Sequence, residues 1–344
     1  MNELIDKHLN VIRRLQAPSG LFLASAQEVS TGYNKAWLRD NFYTALAFES
    51  VGDWETVRRC YRALLDLLKK HEEKISWATE HKPYHTWQYI HARYNPETFE
   101  EFWEEWGNKQ HDAVGALLFK FGRLEQSGHG VIESEDDKRM VQRLVDYMGN
   151  IEYWQNPDSG MWEEWEEVHA SSVGAVLAGL ESVAQLPYLT VPSDYIEKGG
   201  AALERILPRE SADKFCDLSL LSLIWPYRIV SPENIALILK NAEYHLEKRR
   251  GLIRYKTDRY YNANADGWSE EAEWTFGFPW LAIIYADRGN KEKAREYMQK
   301  AESVITREGL LPELYFSNNE RCNENVPLAW SESLYVVARS LVGS

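Results

Sequence analysis

The 344-residue sequence is poor in cysteine: Cys60, Cys216 and Cys322 are three, odd in number and widely spaced. That pattern argues against a disulfide framework and against a thiolate zinc site. No stretch approaches the ~18 consecutive apolar residues of a membrane span. The start, MNELIDKHLNVIRRL, is amphipathic and lacks the apolar core of a secretory signal, so a cytoplasmic, reducing compartment is expected. Positive charge is also scarce. Lys+Arg number 39 against 53 Asp+Glu, a formal charge of −14, which disfavours a nucleic-acid backbone or an anionic membrane as partner. There is no G-x-S-x-G, P-loop or G-x-G-x-x-G. No Pro/Gly/Ser-rich linker divides the chain, so residues 1–344 are expected to form one domain.

What is abundant is aromatic surface: 14 Trp, 19 Tyr and 11 Phe. Sugar C–H faces stack on such rings, so carbohydrate is the first ligand class to consider. The dominant period is helical. In 53–73, Trp54, Val57, Tyr61, Leu64, Leu65 and Leu68 form one stripe, and Ala294, Tyr297, Met298, Ala301, Val304 and Ile305 repeat it in 291–306. In contrast, 169–184 and 328–342 are apolar or small almost all round and should be buried on most sides. About twelve helices are expected, near 2–16, 40–51, 53–73, 109–126, 137–153, 169–185, 191–207, 216–225, 232–248, 271–288, 291–306 and 328–342. Striped and buried helices alternate, which describes an all-α (α/α)6 barrel, with inner helices ringed by outer ones. The turns GDWE (52–55) and GNKE (289–292) suit antiparallel hairpins. A helical solenoid would show a constant period, and this chain does not.

Polar and aromatic clusters precede the buried helices: WLRDN (37–41), WGNKQHDA (106–113), GMWEEWEEVHASS (160–172), GLIRYKTDRYYN through EEAEW (251–274), and LLPELYF through VPLAW (310–330). In an alternating barrel every inner helix starts at the same rim, so these clusters should converge on one mouth. The aromatic-rich stretch 75–108 reads as a long functional loop there. Paired carboxylates are the natural chemistry of such a mouth, because glycoside hydrolysis needs one acid and one base or nucleophile. Glu163 beside Trp162 and Glu164 has neighbours that would raise its pKa by desolvation and like charge. Glu313 follows Pro312 and precedes Tyr315 and Phe316. Arg39 and Asp40 offer adjacent donor and acceptor groups for vicinal hydroxyls, with Trp37 as a wall. An ion pair holding the loop, or Asp40 as a helix cap, explains them equally. Arg254, Tyr255 and Asp258 pose the same choice.

These motifs, in this order over about residues 18–340, resemble glycoside hydrolase family 15, the glucoamylase and glucodextranase-like family. WLRDNFY, HASSVGA, LPELY and PLAWSESLY also resemble the amino-terminal domain of phosphorylase kinase alpha and beta subunits. The family resemblance implies an (α/α)6 barrel and inverting hydrolysis of α-glucosidic bonds from the non-reducing end. Carried across motif by motif, Glu163 is the general acid and Glu313 the general base. Arg39 and Asp40 hold hydroxyls of the terminal glucose, and Arg254 binds sugar nearby. Trp106 packs beside the acid, Gln110 and Asp112 support its loop, and Glu164 meets the neighbouring sugar. Because WEE occurs at 162–164 and again at 165–167, Glu166 is the alternative acid. Spacing back from the helix near His169, and the preceding DSG, favour Glu163.

Leu38 stands where family enzymes commonly have proline, and neither the amino-terminal β-sandwich of bacterial members nor a carbohydrate-binding module is expected. The expected partner is a small α-glucosidic oligosaccharide, with no nucleic acid, membrane, cofactor or metal, and the chain acts as a monomer or weak oligomer. Three rivals stay open. One is a non-catalytic sugar-sensing domain of the kinase-subunit type. Another is a different (α/α)6 chemistry such as an uronyl hydrolase, lyase or epimerase, which would need a basic cleft. The third is a metal site at His81, His85 and His91, which has no thiolate partner. Linkage specificity is expected to lie in loops 75–105 and 259–270.

Overall fold

A computed structural model describes residues 3–26, 28–104, 106–262 and 270–343. In chain order its elements are α1 (Glu3–Arg14), β1 (Ala36–Trp37), α2 (Leu38–Ser50), α3 (Trp54–Lys70), α4 (Glu72–Glu80), β2 (Arg93–Tyr94), α5 (His111–Gln126), α6 (Glu135–Asn150), α7 (Ala170–Val183), α8 (Ser193–Ile206), α9 (Leu221–Ile224) and α10 (Pro232–Asn241). Then follow β3 (Glu273–Trp274), α11 (Gly277–Asp287), α12 (Lys291–Ser303), β4 (Leu314–Tyr315) and α13 (Ala329–Val342).

The helices of mixed small and apolar composition are the inner ones. Helices α2, α5, α7, α9, α11 and α13 each pack on the next, and α13 closes the ring on α2. All but one residue of α7 are buried, as a helix without a polar face requires. Its contact with α5 is close because neither helix has side chains there. A Cβ on Gly115 would lie 2.5 Å from Val176 N, and one on Gly179 would lie 2.6 Å from Gly115 O. The striped helices α1, α3, α6, α8, α10 and α12 alternate with them in the chain. Helix α3 buries Val57, Cys60, Tyr61, Leu64, Leu65 and Leu68, and starts at an Asp53 cap that accepts from Thr56 N. This is the (α/α)6 toroid. No helix among the described residues is long and apolar enough to cross a membrane.

Several boundaries differ from the periodic reading. The expected helix over 53–73 ends at Lys70, and a separate α4 occupies the start of what reads as a loop. Only Ile75 and Ala78 of α4 are buried, too few to print a stripe on the sequence. The 216–225 helix is a 3-10 turn, capped by Asp217, followed by the four-residue α9. Helix α11 begins at Gly277 instead of 271 because Glu273–Trp274 pairs antiparallel with Leu314–Tyr315. Ala36–Trp37 likewise pairs with Arg93–Tyr94. These two short ribbons stand where loops enter α2 and α11, and they brace the mouth of the barrel.

Candidate active site

One cavity of about 290 Å³ opens at that rim, close to the lower end of small-ligand sites. Residues from all five sequence clusters line it: Trp37, Arg39 and Asp40; Trp106; Trp162, Glu163 and Glu164; Arg254 and Trp274; Glu313 and Trp330. Its floor is aromatic. Phe276 and Trp330 stack with centroids 4.8 Å apart and planes 2° from parallel, and Trp162 lies against Trp274 at 5.8 Å.

Glu163 is presented by a tight turn with its backbone in the left-handed region (φ 64°). An antiparallel bridge between Asp158 and Glu167 closes the loop, and Glu164 N donates to Ser159 O at 2.9 Å. Both carboxylate oxygens accept bonds: Arg39 Nη2 donates to Oε1 at 3.0 Å, and Trp106 Nε1 donates to Oε2. Gly107 lets the Trp106 loop touch the Glu163 backbone. A Cβ there would sit 2.4 Å from the Glu163 carbonyl oxygen.

Arg39 is buried and acts as a hub. Its Nη1 donates to Gln110 Oε1 at 2.8 Å and to Asp112 Oδ2 at 3.1 Å. Gln110 and Asp112 therefore stand behind Arg39 and fix the guanidinium, which itself faces the cavity; neither lines it. Asp40 lies at the first turn of α2, and the helix cap position belongs to Trp37. Burial pushes the Asp40 carboxyl up to about 7; Arg39 pulls it down, and Glu163 and Glu313 push it up.

Glu313 is 1% exposed. Its Oε2 accepts from Asn325 Nδ2 at 2.8 Å and from Asn323 Nδ2, and its backbone N–H donates to Asn325 O at 3.0 Å. Burial raises its pKa, while the amides of Asn325 and Asn323, the Tyr33 hydroxyl and the charge of Arg254 oppose the shift. Arg254 is clamped by Asp258 with two bonds of 2.7 Å and donates to Glu164 Oε1 at 2.9 Å. Trp274 and Tyr260 lie against its plane, each centroid 4.9 Å away.

Glu164, expected to meet the neighbouring sugar, lines the same cavity. Arg254, Lys214 Nζ (3.0 Å) and the Tyr255 hydroxyl (2.7 and 2.8 Å) hold its carboxylate. Glu166 is outside the cavity, paired with Lys109 Nζ at 3.0 Å. Of the aromatic residues in 75–108, only Trp106 lines the cavity among the described residues, while Tyr89 and Tyr94 are core. The three histidines scatter. His81 stacks on Trp77, His85 stacks on Trp87, and His91 is buried against the Phe102 carbonyl at 2.9 Å. Positions 263–269 of the loop expected to set linkage lie outside the described residues. Sequence reasoning did not single out Asn323, Asn325, Tyr33 or Phe276. Their only signal is nearness to the LPE, WLRDN and EEAEW motifs.

An (α/α)6 toroid with carboxylates from distant segments around an aromatic cavity defines a class of sugar-handling proteins. The sequence model of Glycosyl hydrolases family 15 matches residues 5–342, so the chain belongs to that family. It is 26% identical over 413 residues to the probable phosphorylase b kinase regulatory subunit alpha of Drosophila melanogaster, covering 98% of this chain and 32% of that protein. The skeletal muscle isoform of Oryctolagus cuniculus is also 26% identical, over 372 residues, with 88% and 30% covered. The chain thus spans about a third of the length of these curated relatives. Among solved structures, a wild-type glycosidase superposes with a TM-score of 0.84 at 20% identity, covering 99% of this chain and 96% of that one. A bacterial glucoamylase complexed with acarbose gives 0.75 at 16% identity, covering 98% and 55%. At such identities the likeness is one of fold.

Proposed function

We propose that the chain is an inverting, exo-acting hydrolase that releases glucose from the non-reducing end of short α-glucosidic oligosaccharides. The observation that carries this reading is the meeting of Glu163 and Glu313, 150 positions apart, in one aromatic-walled cavity. Glu313 takes a proton from the water that attacks the anomeric carbon. Its burial raises its pKa, and a raised pKa makes a carboxylate a better proton acceptor. Glu163 gives a proton to the departing glycosidic oxygen; substrate hydroxyls that take over Arg39 free its Oε1 for that step. Asp40 and Arg39 hold hydroxyls of the terminal ring against Trp37. Glu164 and Arg254 meet the next ring. The two carboxyl groups are expected about 6.5–9.5 Å apart, with room for the water.

The cavity's charge favours a neutral substrate. Asp40, Glu163, Glu164 and Glu313 face two guanidiniums, Arg39 and Arg254, and each guanidinium has a further carboxylate, Asp112 or Asp258, bonded to it. A uronic acid would meet repulsion there. In keeping with this, a variant of the glycosidase with the same fold has been solved in complex with glucose. A second reading, a sugar sensor without turnover, draws support from the kinase regulatory relatives.

The test is a panel of maltose, isomaltose, panose, nigerose, trehalose and short dextrins followed by proton NMR. First-formed β-glucose, lost in Glu313→Gln, supports the scheme. First-formed α-glucose refutes inversion, and binding without turnover across the panel selects the sensor.

A further inference from the structure

The carboxyl of Glu332, in the PLAWSESLY motif, takes no part in the cavity and is nonetheless buried completely. It lies in the first turn of the inner helix α13 with 0% exposure and does not line the site, while its neighbour Trp330 does. Its two oxygens are bonded to two distant parts of the chain. Oε1 accepts from Leu311 N at 2.7 Å, and Oε2 is bonded to Nδ1 of His8 in α1, a ring 1% exposed. Leu311 stands two positions before Glu313. One side chain thus ties the segment that carries Glu313 to helix α1.

That segment has no slack. Leu311 O accepts from Leu328 N at 2.9 Å, Glu313 N donates to Asn325 O at 3.0 Å, and Glu313 O accepts from Thr275 N at 3.1 Å. Pro312 O accepts from Ser331 Oγ at 3.1 Å and from Thr275 Oγ1. Pro312 has no N–H and fixes its own φ, so a displacement at Leu311 is passed on to Glu313. Every backbone donor and acceptor of residues 311–313 is therefore paired. Among these groups only Leu311 N depends on an ionisable side chain. Ser331 and Glu332, adjacent on α13, hold two peptide groups of the segment between them.

Stability does not account for the pair with His8. Replacing a buried charge pair by apolar side chains of the same volume is often neutral or stabilising, and the best-attested use of such a pair is to fix one arrangement among several. Here the arrangement it fixes is the seat of Leu311, and with it that of Glu313, relative to α1. We propose that Glu332 is a positioning residue for Glu313, acting through Leu311 and held in turn by His8. The consequence for catalysis rests on the hydrolase reading; the link from Glu332 to Glu313 does not.

The test compares Glu332→Met, which removes the acceptor of Leu311 N and the partner of His8, with Glu332→Gln, whose amide oxygen and nitrogen can serve both. Three quantities are measured on the full chain: initial rates on whichever panel sugar is hydrolysed, calorimetric stoichiometry of sugar binding, and hydrogen exchange of peptides covering 3–14 and 311–316. A shift of Glu313 by about 0.5 Å costs about tenfold in rate. Glu332→Met should therefore lower kcat about tenfold, with KM within about twofold and the parent's binding stoichiometry. KM holds because Trp37, Arg39 and Asp40 reach the cavity from other elements. Both peptides should exchange faster. Glu332→Gln should return kcat to within about threefold of the parent and restore the protection of both peptides. A folded Glu332→Met with the parent's kcat, or with kcat, KM and stoichiometry all changed, overturns the proposal, as does a Glu332→Gln no better than Glu332→Met. Should Glu332→Met fail to fold, Glu332→Gln combined with His8→Leu removes the α1 arm without leaving a buried charge; faster exchange at 311–316 there supports the proposal and parental exchange overturns it. If the parent hydrolyses no sugar, the hydrolase reading falls and exchange alone decides the link. Faster exchange at 311–316 in Glu332→Met but not in Glu332→Gln keeps it, and unchanged exchange removes it.

Discussion

Replacing Gly107 by alanine tests the geometry of the site through a residue that has no side chain of its own. The added Cβ would lie 2.4 Å from the Glu163 carbonyl oxygen, 2.6 Å from its carbonyl carbon and 2.9 Å from its Cα. Ordinary contact begins near 3.4 Å, so about 1 Å of separation has to open between two backbones. Neither has slack. Gly107 O accepts from Gln110 Nε2 at 2.7 Å, and Glu163 is held by the bridged turn in a left-handed conformation that costs a non-glycine residue about 1–2 kcal/mol. Overpacking of this kind costs about 1–3 kcal/mol of stability, which leaves a protein of this size folded. Displacement of a reacting group by about 1 Å costs about 100-fold in rate. The expected result is therefore a kcat about 100-fold lower on whichever panel sugar is hydrolysed, with an intact circular dichroism spectrum and a Tm a few degrees lower. Gly200→Ala is the control, because a Cβ there meets nothing within 4 Å. A Gly107→Ala variant with kcat within about threefold of the parent would show that the Trp106 loop does not set the position of Glu163.

Arg39→Met should destabilise by about 3–5 kcal/mol, because Asp112 and Glu163 lose their buried counter-charge; Arg39→Lys should recover stability in urea titrations more than it recovers turnover, since it lacks the fork. Glu313→Gln should lower kcat about 100- to 10,000-fold while keeping sugar binding by calorimetry, with a Tm equal to or above the parent's. His169 supplies a pH test. Burial opposes its charge, but Glu210 and Asp158 outweigh burial and lift it to about 9, so its contribution is complete below the ordinary histidine value and lost as pH rises through about 9. Thermal melts should fall between about pH 6.5 and 9 in the parent and flatten in His169→Gln. Asp40, raised to about 7, acts in the same direction over the lower range from about pH 4 to 7.

The inner helices α7 and α13 were legible because burial on most sides leaves a composition that is apolar or small almost all round. The rim followed from alternation, and Glu163, Glu313, Arg39 and Arg254 followed from ordered motifs; the structure brings all four into one cavity. Other features were closed to that kind of reading. Helix α4 buries two residues, so it has no period to detect. Asn323 and Asn325 reach Glu313 from an irregular segment, and only the fold shows that their amides face its carboxylate. Aromatic content marked the 75–108 stretch but could not separate Tyr94, which is core, from Trp103, which is exposed, or Trp106, which lines the site. Adjacency in sequence suggested repulsion from Glu163, and the turn sends the two carboxylates to different cations.

The choice between enzyme and sensor turns on what a buried carboxylate does that an amide cannot. Recognition of a neutral sugar needs donors and acceptors, and a glutamine at 313 would supply both without the desolvation that raises the carboxyl's pKa. The amides of Asn325 and Asn323 hold Glu313 in place, but they do not require it to be charged, because an amide oxygen accepts the same bonds. The carboxylate therefore carries a stability penalty at neutral pH that binding alone does not repay. Proton transfer does repay it, since only an ionisable group can take the proton of an attacking water. A chain that merely bound sugar would be no worse, and more stable, with glutamine there. The buried, destabilising Glu313 is for that reason a stronger pointer to turnover than the mere presence of two carboxylates in the cavity.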